Sequence, residues 1–293
     1  MLIMPLPTLQ KRALRGRHSF AYSILKPCQA CQQERIDVNL PENEIHIWQV
    51  ALSDVDPAAL TQQARGWLQA NEIMRYERLV QQRHRLEFML GKWLTRICLS
   101  EYTGLAMGDW QFIYNAHGKP QPREGLGVQA PFFNLSHSHG RAVVAVSRTP
   151  ELGIDIEFTG RKRRVAKIAH RYFANEEIRA LLALPDSVQQ SRFYELWSLK
   201  EAYIKARGLG LAIPLKSFAY TFSKNRVGLN EITKSSAAQW RWQIWQLNTG
   251  LPYALALAVQ LQAGDSDRSL KAFRYQNMTQ HSEETVAVLR MSS

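Results

Sequence analysis

Asp155 and Glu157 stand in "GIDIEFTGRKRR" (153 to 164), two acids on a short apolar strand followed at once by four basic residues, Arg161, Lys162, Arg163 and Arg164. Residues two apart on a strand leave the same face, about 7 Å apart, while Ile154 and Ile156 turn the other way into a core. Two hard oxygen ligands side by side suit Mg²⁺, which is held by few carboxylates together with substrate phosphates. A solvent-facing strand edge is the plainer alternative for a single D-x-E. In "WSLKEAYIKARG" (197 to 208), Glu201 and Lys205 are four apart on a helix and stack one above the other, with Trp197 one turn earlier. Read alone, they are an exposed ion pair. "FFNLSHSHG" (132 to 140) ends an apolar run in hydroxyls and imidazoles. His137 and His139 lack the third ligand of a zinc site, but Ser136 and His137 could donate to a phosphate. Lys119, in "HGKP", sits at the tip of a tight turn. Cys28 and Cys31 make half a zinc site with no second half, and Cys98 reads as a core thiol.

The elements that must position these residues follow from periodicity. "EIHIWQVAL" (44 to 52) reads as the first strand, and Asp56-Pro57 as a helix start with Pro at its first position. One long helical region is expected from there to Gly104. "WQFIYN", "RAVVAVS" and "GIDIEF" are strands. Asn175 with Glu176 and Glu177 starts a helix. Ser187 with Gln190 forms a capping-box pattern ahead of another helix of about five turns, which ends near Gly208. "SFAYTF", "WRWQIWQL" and "YALALAVQ" alternate like strands of a second sheet. The order strand, helices, strands thus occurs twice, about residue 150. The expected organisation is a basic extension over 1–43, an α+β half over 44–150, a second over 151–262 carrying the acids, and a polar tail over 263–293 to which "LKAFRYQ" could add one strand.

The chain of 293 residues is 45% hydrophobic and 21% charged, with length for a sizeable core. No run approaches 18 apolar residues, and the start has the wrong order for a secretory signal, so a cytoplasmic location and no membrane association are expected. Three cysteines agree with a reducing compartment. A formal charge of +12 and a pI near 9.8 point to an anionic partner. "RKRRVAKIAHR" (161 to 171) makes a basic nucleic-acid-binding protein without catalytic activity the alternative reading, although no nucleic-acid motif accompanies it. Neither common Gly-rich phosphate loop is present, and no G-x-S-x-G.

Together the pieces resemble the Sfp-type 4′-phosphopantetheinyl transferases. That signature, G-[IV]-D-[IV]-E and then W-[SA]-x-K-E-[AS]-x-x-K after 40 to 45 residues, stands here as "GIDIE" (153 to 157) and "WSLKEAYIK" (197 to 205). "GKP" at 118 and "FNLSHS" at 133 match two further landmarks, and the likeness runs over about residues 44 to 262. The resemblance implies an α+β fold of two similar halves in pseudo-twofold arrangement. It implies Mg²⁺-dependent transfer of the phosphopantetheine arm of coenzyme A to a serine of an apo acyl or peptidyl carrier protein, with release of adenosine 3′,5′-bisphosphate. Asp155, Glu157 and Glu201 would be the metal ligands, and Glu201 and Lys205 the catalytic pair. Arg75, Lys119, Ser136, His137, Lys200 and Lys205 would hold coenzyme A. Where the family carries a phosphate-binding arginine this chain has Glu87, with Arg83 and Arg85 nearby. The carrier could serve fatty acid, polyketide or nonribosomal peptide synthesis; nucleic acid is not expected as a partner, and a monomer is.

Overall fold

The computed structural model describes residues 39–231, 239–250 and 252–292. Nearly all of the expected 1–43 extension, with Cys28 and Cys31, lies outside the described residues.

The first strand, β1 (Glu44–Ala51), alternates as its sequence demands: Ile45 and Ile47 face one core, Trp48 and Val50 another. Asp56 caps α1 (Pro57–Ala64) by accepting from the Ala58 amide, with Pro57 at the first position. The helical region up to Gly104 is three helices rather than one, α1 being followed by α2 (Ala70–Glu77) and α3 (Gln82–Thr103). Gly66 and the Val80–Gln81 stretch fall in the breaks. The hairpin β2 (Phe112–Tyr114) and β3 (Pro120–Pro122) follows, and then β4 (Phe132–Ser138), β5 (Arg141–Ser147) and β6 (Leu152–Phe158). Two short helices, α4 (Val165–Tyr172) and α5 (Asn175–Leu182), lead into α6 (Asp186–Arg207). Strands β7 (Phe218–Ser223), β8 (Arg226–Glu231), β9 (Trp240–Asn248) and β10 (Tyr253–Gln262) build the second lobe, and β11 (Ser269–Tyr275), β12 (His281–Glu284) and β13 (Val288–Met291) end the fold.

Two sheets result, ordered β12-β11-β1-β5-β4 and β6-β10-β9-β13-β8-β7. Each carries a 22-residue helix on its outer face, and each helix stops at a left-handed glycine, Gly104 or Gly208. α3 packs on the first sheet through Leu90, Trp93 and Leu94 against Trp48, Val144 and Phe273. α6 packs on the second through Leu199, Ala202 and Ala206 against Ala254, Ala256 and Ala258. A third core of Ile45, Ile47, Val143, Ile154, Ile156 and Leu257 lies between the sheets. The architecture is therefore α+β, in two lobes.

Two expectations need correction. The residues from 263 onward are not a polar tail: β11 pairs in parallel with β1, and β13 sits between β9 and β8, so this segment completes both sheets. Ser187 does not cap α6, which starts at Asp186 after Pro185, while Gln190 donates to the Thr159 carbonyl instead of closing a capping box. Among the described residues no helix is long and apolar enough to cross a membrane.

Candidate active site

The two lobes meet where β4, at the edge of the first sheet, runs beside β6, at the edge of the second. Gly153, Asp155 and Glu157 leave β6 on the side of α6, and Ile154 and Ile156 turn into the core between the sheets. Gly153 has a steric reason. A methyl group there would fall well inside 3.0 Å of Ala202 O and Ala206 N, so the α6 backbone rests on the strand at this point. Asp155 and Glu201 lie 46 positions apart in sequence, and this contact brings them to one place.

Lys205 Nζ donates to Asp155 Oδ1 at 2.6 Å, to Ser136 Oγ at 2.9 Å and to Ile154 O at 3.2 Å, using all three of its protons. Ser136 in turn donates to Asp155 Oδ1 at 2.9 Å. Asp155 is 4% exposed, and its Oδ2 is buried with no hydrogen-bond partner. Glu157 is pushed up to about 7 by burial and by Asp155, against the pull of Lys205 and Arg163. Glu201 is pushed to about 7 by burial and Asp155, against Lys205. Each acid thus feels Asp155, and the three share one small region of negative charge at the seam. Among the described residues no three His, Cys, Asp or Glu side chains converge tightly enough to enclose a metal ion. As found, the ammonium of Lys205 is the counter-ion of Asp155.

The donor set nevertheless fits Mg²⁺. It is all carboxylate oxygen, it includes an unpartnered buried oxygen, and two of its members are held above their ordinary pKa by burial and by the neighbouring charge of Asp155, both of which a bound cation would offset.

The residues expected around coenzyme A divide. Lys119 donates from Nζ to Leu152 O and to Ala206 O, both at 3.1 Å, and Asn115 donates to Gly208 O at 2.7 Å. The β2–β3 hairpin thereby caps the carbonyl end of α6. Burial lowers Lys119 to about 8, against Glu151, and one of its three protons remains free. It borders a cavity of about 190 Å³ that also touches His117, Asn134, Leu135, Lys205 and Gly210. Ser136 and His137, expected side by side on one phosphate, leave opposite faces of β4. Ser136 is 6% exposed and bound to Asp155, whereas His137 is exposed on the α3 side, next to Gly91. His137 is held below its ordinary pKa by loss of hydration, with Lys205 and Arg75 adding to the effect and Glu87 and Asp155 opposing it. Arg75 is exposed on α2, its guanidinium 5.7 Å from the Phe88 ring. Arg83 and Arg85, the nearest arginines to Glu87, already have partners of their own. Arg83 binds Glu87 at 2.9 Å, and Arg85 donates to Leu79 O.

Lys200 is a correction. It is 0% exposed and donates to Leu215 O and Phe218 O, both at 2.7 Å, while pairing with Glu177 at 2.8 Å. Glu177 also accepts from the Ala174 and Tyr220 amides. Lys200 lies on the buried stripe of α6 with Leu196 and Tyr203, about 100° around the helix from Glu201, and cannot reach a ligand at the seam. Burial lowers Lys200 and raises Glu177, and the bonds each makes to the other oppose both shifts.

Sequence reading missed Asn134, Ser138 and Gly153. The signal was present as a polar residue at every second position of N-x-S-x-S, facing the alternation of "GIDIEF".

The profile of the 4′-phosphopantetheinyl transferase superfamily matches residues 151–258, from the start of β6 to within β10. The chain is 34% identical over 176 residues to 4′-phosphopantetheinyl transferase HetI of Nostoc sp., covering 60% of this chain and 73% of that one. It is 39% identical over 131 residues to 4′-phosphopantetheinyl transferase Sfp of Bacillus subtilis, covering 45% and 56%. The chain thus spans roughly half to three quarters of the length of these relatives. A solved structure, holo-[acyl-carrier-protein] synthase of Thermotoga maritima, matches 41% of this chain and 64% of its own at 22% identity, with a TM-score of 0.31. The sequence likeness covers β6 and α6 with their acids and Lys205, and the chain belongs to the 4′-phosphopantetheinyl transferase superfamily.

Proposed function

We propose that this protein transfers the phosphopantetheine arm of coenzyme A to a serine hydroxyl of an acyl or peptidyl carrier protein, with Mg²⁺, releasing adenosine 3′,5′-bisphosphate. The observation that carries the reading is the seam itself: Asp155 with its unpartnered Oδ2, flanked by Glu157 and Glu201 and faced by Lys205. In this reaction the serine oxygen bonds to the phosphorus that carries the pantetheine, and the P–O bond inside the pyrophosphate breaks. The work is positioning and neutralisation of charge. Asp155, Glu157 and Glu201 would hold Mg²⁺, which when bound supplies Lewis-acid polarisation of the pyrophosphate.

The remaining roles fall to this chain's own groups. Glu201 would accept the serine proton on a carboxylate oxygen, directly or through a water. Lys205 is the cation nearest the acids, and it would stabilise charge on the pyrophosphate or the leaving group. Lys119 offers its free proton to an anion in the cavity beside Lys205, and for the 3′-phosphate Arg75 would supply charge and the His137 imidazole, held toward its neutral form, an N–H donor. The exposed run Arg161–Arg164 begins three residues after β6, with the charge of Arg163 felt by Glu157, and would steer an acidic carrier toward the acids.

The test is mass spectrometry of apo acyl and peptidyl carrier proteins incubated with this protein, coenzyme A and Mg²⁺. One phosphopantetheine should be gained per carrier, and Asp155→Ala should abolish the gain while its circular dichroism stays native. No gain on any carrier, or full transfer by Asp155→Ala at millimolar Mg²⁺, refutes the reading.

A further inference from the structure

β6 is an edge strand, yet its outward amides are neither bare nor paired with another backbone. Asn134 Oδ1 accepts from the Ile154 amide at 2.9 Å, Ser136 Oγ from Ile156 at 3.3 Å and Ser138 Oγ from Phe158 at 3.1 Å. The two strands advance together, two residues at a time, with a constant offset of 20. Each serine then donates its own proton to the acid just before the amide it accepts from. Ser136 donates to Asp155 Oδ1 at 2.9 Å and Ser138 to Glu157 Oε2 at 3.4 Å. At the third register position the preceding residue is Gly153, which has no side chain to hold, and there the partner is the acceptor oxygen of an amide. Side chains of one lobe thus take the place that an adjacent strand's carbonyls would fill.

This arrangement couples backbone register to carboxylate direction. Sliding β6 by one residue would bring Ile154 and Ile156 to the α6 side, and a smaller shear would turn both acids relative to Lys205. The main-chain pairing of β6 with β10 fixes the strand on one side only. On the other side the three polar side chains of β4 hold its amides, while Lys119 and Lys205 hold the carbonyls of Leu152 and Ile154.

We propose that Asn134 and Ser138 are positioning residues for Asp155 and Glu157. They hold the edge amides that flank the acids, and so set where the two carboxylates stand across the seam from Lys205 and Glu201. The proposal rests on the reading of these acids given above, so its test has arms that do not depend on transfer.

The variants are Ser138→Ala, which removes the acceptor and the proton donated to Glu157, and Ser138→Thr, which keeps both. Asn134→Leu and Asn134→Asp make the same contrast at the buried end. Amide exchange by NMR should speed about tenfold or more at Phe158 in Ser138→Ala and at Ile154 in Asn134→Leu. The amides of Asp155 and Glu157, which face β10, should keep their protection. Mg²⁺ titration of the protein without coenzyme A should weaken roughly tenfold in Ser138→Ala and recover in Ser138→Thr. In the transfer assay kcat should fall at least about tenfold while the KM for coenzyme A stays within about twofold. Uniform acceleration of exchange along β6 would overturn the proposal and leave the serines as part of the fold alone. Local acceleration with unchanged Mg²⁺ binding and kcat would overturn it too. If the wild-type protein modifies no carrier, the functional reading fails, while the exchange and Mg²⁺ arms still decide the positioning. Should Asn134→Leu not fold, the half-buried Ser138 pair carries the test.

Discussion

Gly153→Ala is the smallest change that should disable the seam without touching a charged group. The added methyl would fall well inside 3.0 Å of Ala202 O and Ala206 N and at 3.0 Å from Ala206 Cα, all of them helix backbone with no rotamer to yield. Relief requires α6 to withdraw from β6 by about 1 Å, an overpacking strain of about 1–3 kcal/mol or more. Alanine's lower conformational freedom in the unfolded chain returns roughly 0.5–1 kcal/mol of that, leaving a net loss centred on about 1 kcal/mol and reaching about 2.5 kcal/mol. The functional cost is larger, because Ala202 and Ala206 bracket Lys205 and follow Glu201. A 1 Å retreat there would carry Lys205 away from Asp155 Oδ1, now at 2.6 Å, and Glu201 away from both acids of β6. A displacement of that size is expected to lower kcat/KM about a hundredfold. Urea unfolding measures the first quantity, and transfer to an apo carrier at saturating Mg²⁺ measures the second. Gly153→Ala with a native unfolding midpoint and activity within a factor of two would refute the argument that α6 is seated on this residue.

Lys200→Met should cost about 3–5 kcal/mol by leaving Glu177 buried and unpaired, and adding Glu177→Gln should recover part of that in urea unfolding. The coenzyme A affinity of folded Lys200→Met should be unchanged; a selective loss would return Lys200 to the ligand site. The metal-free protein should be less stable at pH 8 than at pH 5. Glu157 and Glu201 have folded pKa values of about 7 against 4.5 for an ordinary glutamate, so the native state binds more protons across this window and stability declines as pH rises. Glu201→Gln should flatten that slope, and a urea midpoint that rises from pH 5 to 8 would contradict it. His137→Ala should raise the KM for coenzyme A roughly ten- to a hundredfold, as expected for loss of a charge-assisted bond, and spare 3′-dephospho-coenzyme A. Equal loss for both substrates would place the imidazole in the fold or the chemistry.

Much of the site was legible because its signals are local. The D-x-E alternation put both acids on one face of β6, and the four-residue spacing put Glu201 over Lys205. What escaped was set by distant partners. The strand in "LKAFRYQ" was readable from its own residues, and it is β11, but its partner β1 lies more than 200 residues away, so nothing near it shows which sheet it joins. Lys200 sits seven residues after Phe193 and three before Tyr203, on the apolar stripe, and its counter-ion Glu177 comes from another helix. A lysine in that register reads equally as a ligand or as a buried partner until the acid is located. For Lys119 the turn was recognised, but not that its ammonium reaches back to Leu152 and Ala206.

The closing strands have a consequence for biosynthesis. Glu44 pairs with Ser269 and Trp245 with Met291, so the first sheet keeps an open place until β11 and β12 are made and the second until β13 is made. A ribosome delivers β1 and β9 long before β11 and β13, and their vacant edges must stay unpaired, or be shielded, in the meantime. Neither sheet can close before strands from beyond residue 268 have emerged, so both lobes depend on segments made after all of their helices. A nascent chain stalled before residue 269 should therefore be sensitive to protease and bind holdase chaperones, however complete its motifs are.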